Sequence, residues 1–141
     1  MTIQLLTKEQ VNTDLQQQLS QLYLELKAEL DQLDLNSIFS AYGTTDIVIC
    51  MDNNELIGIA MMAKYKVISG HKGMIEDVVV AKTHRGKGIG RKLMEKLLDH
   101  AKSEQLNDVL LFSGHHRTAA ISLYKSLGFT LKESGLYIKK I

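Results

Sequence analysis

The chain reads as an α/β fold of the α+β kind, one sheet with helices packed on it. Three patterns predict this. Leucines recur at spacings of four and three through the first third of the chain. β-Branched and apolar runs broken by turn residues fill the middle. A strand, a glycine-rich loop and an amphipathic helix then follow one another directly. The length, 141 residues, suits a single domain over residues 1–141. Hydrophobic residues at 45% against 23% charged exclude a disordered chain.

The elements can be justified in order. Residues 3–6 (Ile-Gln-Leu-Leu) make a short first strand. Leu15, Leu19, Leu22, Leu26, Leu30 and Leu33 share one helical stripe, with Asn12 or Thr13 as the cap. The stripe suits a helix laid on a sheet better than a coiled-coil seam, which needs at least three sustained heptads. Residues 46–51 are β-branched and apolar, 52–55 are turn chemistry, and 56–67 resume the apolar run, which together predict a β-hairpin. Residues 69–73 form a second break, and 74–81 another strand. A helix then carries Ile89, Leu93, Met94, Leu97, Leu98 and Ala101 on one face and Arg91, Lys92, Glu95, Lys96 and Asp99 on the other. Residues 109–112 form a short buried strand. A helix over 118–127, with Ala120, Leu123, Tyr124 and Leu127 inward, stops at Gly128. Residues 129–141 supply one or two closing strands.

Composition excludes several classes of function. Seventeen basic against 16 acidic residues leave a net charge of +1, which speaks against nucleic-acid and membrane-surface partners. The single cysteine, Cys50, permits no intrachain disulfide and reads as a small buried hydrophobe. No run approaches the ~20 apolar residues of a membrane span, and residues 1–6 lack the features of a signal peptide. A cytoplasmic location is therefore expected.

The informative segment is Val78-Val79-Val80-Ala81-Lys82-Thr83-His84-Arg85-Gly86-Lys87-Gly88-Ile89-Gly90-Arg91. Glycines between a strand and a helix let the backbone approach a ligand closely. The first helical turn offers unpaired N–H groups and the positive end of a dipole. Arg85, Lys87 and Arg91 add positive charge, and the whole suits a pyrophosphate. It is not a nucleoside-triphosphate loop, which needs Gly-Lys-Ser/Thr after four spacer residues. Nor is it the dinucleotide Gly-x-Gly-x-x-Gly: counting from Gly86 the last position is Arg91, and from Gly88 it is Leu93.

Arg85-Gly86-Lys87-Gly88-Ile89-Gly90, placed between a strand and a helix, resembles the acetyl-coenzyme A loop of the GNAT family of N-acetyltransferases. The strand before it, Ile75-Glu76-Asp77-Val78-Val79-Val80, has the family's character. Downstream, Ala120, Tyr124, Gly128 and Phe129 fit its Ala-x-x-x-Tyr-x-x-x-Gly-Phe pattern. The specific resemblance covers about residues 74–130. It implies a central mixed, mostly antiparallel sheet of six to seven strands with four helices, splayed between strands 4 and 5. It also implies acetyl-CoA as co-substrate, its pantetheine arm on the backbone of Val78, Val79 and Val80. Its pyrophosphate would lie on Arg85, Gly86, Lys87, Gly88, Ile89, Gly90 and Arg91, with Arg117 and Ala120 nearby. Arg117 stands where many family members carry Asn, so that contact departs from the pattern.

Acetyl transfer from a thioester needs a neutral amine and a proton for the leaving thiolate. Glu76 is the candidate base or ammonium anchor, with a structural ion pair or an exposed strand end as the alternative. Strict strand alternation would send Glu76 and Asp77 to opposite faces. Tyr124 is the candidate acid by its family position, with a core tyrosine as the alternative. No metal is expected: adjacent His115 and His116 chelate poorly, and His71, His84 and His100 read as surface residues. Met61 and Met62 read as core. The expected function is transfer of an acetyl group to a primary amine of a small molecule (polyamine-, aminoglycoside- or amino-sugar-like) or of a peptide, through a ternary complex. The alternative is a non-catalytic coenzyme A-binding sensor or assembly module. The segments 31–45 and 133–137 would shape the acceptor pocket, and a homodimer is compatible with the leucine stripe.

Overall fold

The computed structural model describes residues 1–29, 31–40 and 45–141. The elements run β1 (Thr2–Leu5), α1 (Thr13–Leu24), α2 (Leu35–Ile38), β2 (Thr45–Asp52), β3 (Glu55–Val67), β4 (Gly70–Val80), α3 (Ile89–Ser103), β5 (Asp108–Leu111) and α4 (Thr118–Ser126). The strands form one sheet in the order β1-β2-β3-β4-β5. Every pairing is antiparallel except β4 with β5, which is parallel and is bridged by α3.

Local chemistry accounts for the hairpins. Asn53 and Asn54 both take positive φ, at 47° and 65°, between the paired residues Asp52 and Glu55. Two left-handed residues in a two-residue loop match the twist of the flanking strands. Gly70, at φ 140°, lets β4 begin with only two residues between it and the end of β3. The predicted break over 69–73 is therefore shorter, and 70–73 already belong to the strand.

The sheet has an apolar cluster on each face. One holds Leu15, Leu19 and Leu22 of α1 with Leu35, Ile47, Ile49, Ile59, Met61 and Val79. The other holds Ile89, Leu93, Met94, Leu97 and Ala101 of α3 with Val48, Cys50, Ile57, Ala60, Met62 and Ile75. Met61 and Met62 are core on opposite faces, and Cys50 is fully buried. Gly58 brings α3 close to the sheet: a Cβ there would lie 3.1 Å from Leu93 and 3.2 Å from Ile89.

Asn12 caps α1, its side chain accepting the N–H of Leu15 at 2.9 Å. The leucine stripe serves the helix-on-sheet arrangement, but it ends earlier than predicted. Leu26 is half-buried, Leu33 is exposed, and Leu30 lies outside the described residues. On α4, Ala120, Leu123, Tyr124 and Leu127 are only partly buried.

The chain end departs from expectation. The predicted closing strands over 129–141 do not form: Phe129 packs on the α3-side cluster, and 130–141 carry no strand. The sheet has five strands among the described residues, not six or seven. A strand needs a neighbour to satisfy its backbone, and this segment meets none among the described residues. No helix among the described residues is long and apolar enough to cross a membrane.

Candidate active site

The site begins where two strands part. β5 pairs with β4 from Lys72 opposite Asp108 to Ile75 opposite Leu111, and no further. Beyond that point the outer edge of β4, residues 76–80, has no strand partner among the described residues. A cleft of about 470 Å³ opens there, lined by Val78, Val79 and Val80, by Glu25 and Leu26 just past α1, by Arg85, and by residues 116–120 at the start of α4. The expected splay between strands 4 and 5 is thus present. An unpaired strand edge offers alternating N–H and C=O groups to an extended ligand.

The glycine loop adjoins this cleft through Arg85, while 86–91 are not part of its lining. Gly86 and Gly88 both stand at φ +76°, where an L side chain is strained, and Gly88 is the N-cap of α3. No side chain caps that helix, so its first N–H groups remain available. Gly90 differs: it has no positive φ, and a Cβ there would sit 3.6 Å from Leu123 and 3.9 Å from Val80. Ile89 is buried and roots the helix start in the core. Arg85 donates from Nε to the Val80 carbonyl at 2.9 Å and pairs with Glu25 at 3.5 Å. Glu25 also accepts the backbone N–H of Lys82 at 2.8 Å. Lys87 is exposed on the loop. The Arg91 side chain is committed elsewhere, to Glu95 at 3.1 Å and to Ser126 of α4. Of that residue, the backbone alone remains at the helix start.

The carboxylates do not follow strand alternation. Met61 faces Glu76 and Ile59 faces Val79, so Asp77 and Val78 together stand opposite Ala60. This is a β-bulge, with Asp77 at φ 49°. Glu76 shares the α1 face with its cross-strand partner Met61. Asp77 lies on that same face, because its Oδ1 accepts from the Tyr23 hydroxyl of α1 at 3.4 Å. The expectation of opposite faces therefore fails: the extra residue resets the side-chain period.

Burial, then the neighbouring Asp77 charge, pushes the Glu76 carboxyl above the usual range. Burial also raises Asp77, against the Tyr23 hydrogen bond and Lys27, which lower it. Tyr23 is raised by burial and then by Asp77. Sequence reasoning missed Tyr23. As a residue of the first helix outside the leucine stripe, it carried no signal without the bulge that brings Asp77 to it.

Tyr124 lies half-buried on α4, in edge contact with Phe129 at 6.1 Å between ring centroids. Its hydroxyl makes no hydrogen bond to a described residue. Burial raises its pKa and Arg117 opposes that, which keeps the phenol protonated at neutral pH. Arg117 is the N-cap residue of α4 and, with Ala120, lines the cleft. The structure thus gathers Val78, Val79, Val80, Arg85, Arg117 and Ala120 around one opening, with Glu76 at the parting point.

Other groups lie apart from it. Asp46, His100 and Glu104 offer ligand atoms within 4.8 Å of one another, but the Lys64 ammonium stands among them, 3.0 Å from Asp46 and 2.5 Å from Glu104. That cation supplies the charge the carboxylates need. His100, expected at the surface, is half-buried in this cluster. A second cleft, of about 430 Å³, lies between β1, α1 and the β2–β3 turn and carries one ionisable lining residue, Asp14. Of the acceptor segment 31–45, Asp34 caps α2 by accepting the Ser37 N–H at 2.7 Å, and 41–44 lie outside the described residues.

Comparison with known proteins agrees with this geometry. A family model described as "Acetyltransferase (GNAT) family" matches residues 10–129. N-alpha-acetyltransferase 30 of Schizosaccharomyces pombe is 32% identical over 117 residues, covering 76% of this chain and 77% of that protein. The chain spans half or less of several other acetyltransferases it resembles. Among solved structures, an aminoglycoside acetyltransferase from an uncultured soil metagenomic sample, in complex with sisomicin, superposes with a TM-score of 0.83 at 15% identity, over 99% of this chain and 95% of that one. A Clostridium acetobutylicum structure, named a predicted acetyltransferase and holding acetyl-CoA, gives 0.73 at 18% identity, over 98% and 95%. With the parted strands, the glycine loop and the match over residues 10–129 together, the chain belongs to the acetyltransferase (GNAT) family of enzymes.

Proposed function

We propose that the chain transfers the acetyl group of acetyl-CoA directly to a primary amine of a small molecule or peptide. The observation that carries this reading is the unpaired edge of β4, residues 76–80, running into the uncapped, glycine-led start of α3. The pantetheine arm lies along the backbone of Val78, Val79 and Val80. The pyrophosphate takes the N–H groups of 86–91, with Arg85, Lys87 and Arg117 supplying charge.

The chemistry then falls to the two sides of the opening. The amine nitrogen attacks the thioester carbonyl, a C–N bond forms and the C–S bond breaks. Glu76 takes the proton that the amine must lose, or anchors its ammonium form first. A carboxyl pushed up by burial and by Asp77 is a better proton acceptor near neutral pH than an ordinary one. Tyr124, still a phenol at that pH, gives its proton to the thiolate. Glu76 and Asp77 on one face favour a cationic acceptor such as a polyamine or aminoglycoside. The cytoplasm, where acetyl-CoA and such amines meet, is the proposed location.

Calorimetric titration with acetyl-CoA and with free coenzyme A tests the first half, with micromolar-range binding expected. A thiol-release assay over polyamines, aminoglycosides, amino sugars and peptides tests the second. A folded protein that binds neither coenzyme form overturns the reading. Tight binding with no turnover on any amine would favour a sensor instead.

A further inference from the structure

The end of α1 reaches the open edge of β4 at two points. Tyr23, in the last turn of the helix, meets Asp77 near the start of that edge, its hydroxyl 3.4 Å from Oδ1. Glu25, the C-cap residue of α1, reaches the other end. Its Oε2 accepts the backbone N–H of Lys82 at 2.8 Å and stands 3.5 Å from the Arg85 guanidinium. Glu25 lines the cleft, yet no step of acetyl transfer uses it. A carboxylate in the wall of a cleft that takes a pyrophosphate repels that ligand, so its presence there calls for a task.

Arg85 supplies the task. The Ala81 N–H donates to the Ile57 carbonyl at 2.9 Å, so residue 81 turns its backbone groups toward β3. Neighbouring residues of a strand turn theirs to opposite sides, so the Val80 carbonyl points to the open edge. Arg85 donates from Nε to that carbonyl at 2.9 Å. The arginine thus covers the last acceptor of the edge, and a ligand paired along the edge is turned off at Val80 toward the glycine loop. The Arg85 side chain is 51% exposed. A long side chain half in water needs a second contact to stay in one rotamer. Glu25 is that contact, and its own carboxylate is fixed by the Lys82 N–H.

We propose that Glu25 is a positioning residue for coenzyme binding. It holds the Arg85 guanidinium across the end of the β4 edge, so that the coenzyme arm leaves the edge at Val80 and enters the loop at 86–91. Glu25 acts through Arg85 and the Lys82 N–H, not by contact with the reacting atoms. Because Tyr23 and Glu25 stand two positions apart at the end of α1, one helix end holds both the acid side and the loop side of the open edge. The inference rests on the acetyl-CoA reading of the cleft and deepens it.

The test is calorimetric titration of the full chain with acetyl-CoA, with circular dichroism and melting temperature recorded for each variant. Glu25→Gln keeps an oxygen for the Lys82 N–H and removes the charge that holds Arg85. Its affinity is expected to fall about threefold, as suits a partly exposed ion pair. Glu25→Ala removes both contacts and is expected to lose about tenfold. In an Arg85→Ala background, Glu25→Gln is expected to change nothing further, because its partner is already gone. A role in general stability would lower the melting temperature and give Glu25→Gln the same effect in both backgrounds. That equality overturns the proposal. So does wild-type affinity in Glu25→Ala. Tighter binding by Glu25→Gln overturns it as well, since Glu25 would then be only a repelling charge. A folded wild-type protein that binds no acetyl-CoA is a different result: it overturns the reading of the cleft, and the proposal with it.

Discussion

At the scale of residues, one inserted position sets where two acids point. The bulge at Asp77 and Val78 turns two adjacent acids to the α1 face and sets Tyr23 against them. Replacing Glu76 with Gln should cut turnover about a hundredfold, the usual worth of a positioned base, with little change in acetyl-CoA affinity. Wild-type activity should rise with pH through a midpoint above the ordinary glutamate value, and that limb should vanish in Glu76→Gln. A pH–rate profile of both proteins checks it. The same carboxyl bears on stability. Because its folded pKa is raised, the folded state holds the proton more tightly, so stability falls as pH climbs from the unfolded value through the folded one. Glu76→Gln should then melt slightly higher at neutral pH. Tyr124→Phe should lower kcat about a hundredfold at unchanged coenzyme affinity, and a wild-type rate would remove the phenol from the mechanism. The sequence offered Glu76 as a candidate from its place in an apolar strand and Tyr124 from the family resemblance. Tyr23 and the shared face were not, because a period of two holds only until a bulge shifts it, and nothing in Glu-Asp-Val-Val-Val announces a left-handed Asp77.

At the scale of elements, the glycines of the loop separate into two jobs. Gly88→Val puts a β-branched residue at φ +76° in open space, at a strain of about 1–2 kcal/mol. It should leave a folded protein that binds acetyl-CoA at least tenfold more weakly, as calorimetry would read. Gly90→Val instead presses on Leu123 and Val80, so its loss should appear mainly as a lower melting temperature. The contrast was hidden in the sequence, where Gly86, Gly88 and Gly90 look alike. The helix they introduce was plain, since α3 keeps its apolar face over four turns and buries it almost completely. The Asn53-Asn54 hairpin was plain for a similar reason: turn chemistry is local. The tail was misread as closing strands because its composition is that of a strand. Whether a strand forms is decided by the neighbour it finds, which no local window contains.

At the scale of the molecule, the parts far from the cleft hold the frame. Lys64 joins the start of β2 to the end of α3 through Asp46 and Glu104. Its hydrogen bond holds the Glu104 carboxyl below the usual range, so this contribution is present above the unfolded value and lost as pH falls through the folded one. Glu104→Gln should flatten the acid side of a melting-temperature-against-pH curve and lower stability at neutral pH; an unchanged curve would mean the pair is screened out. The parallel join of β4 and β5 has a consequence in time as well as in space. β2, β3 and β4 are linked by two-residue turns and meet as sequence neighbours, whereas β5 reaches β4 only after the whole of α3 has been laid down between them. Contacts across long loops form late, since their closure entropy comes due before the contacts reward it. The cleft, bounded by β4 on one side and the β5–α4 unit on the other, therefore assembles after the β2–β3–β4 meander, and a ligand bound there acts as a clasp on a piece that arrives late.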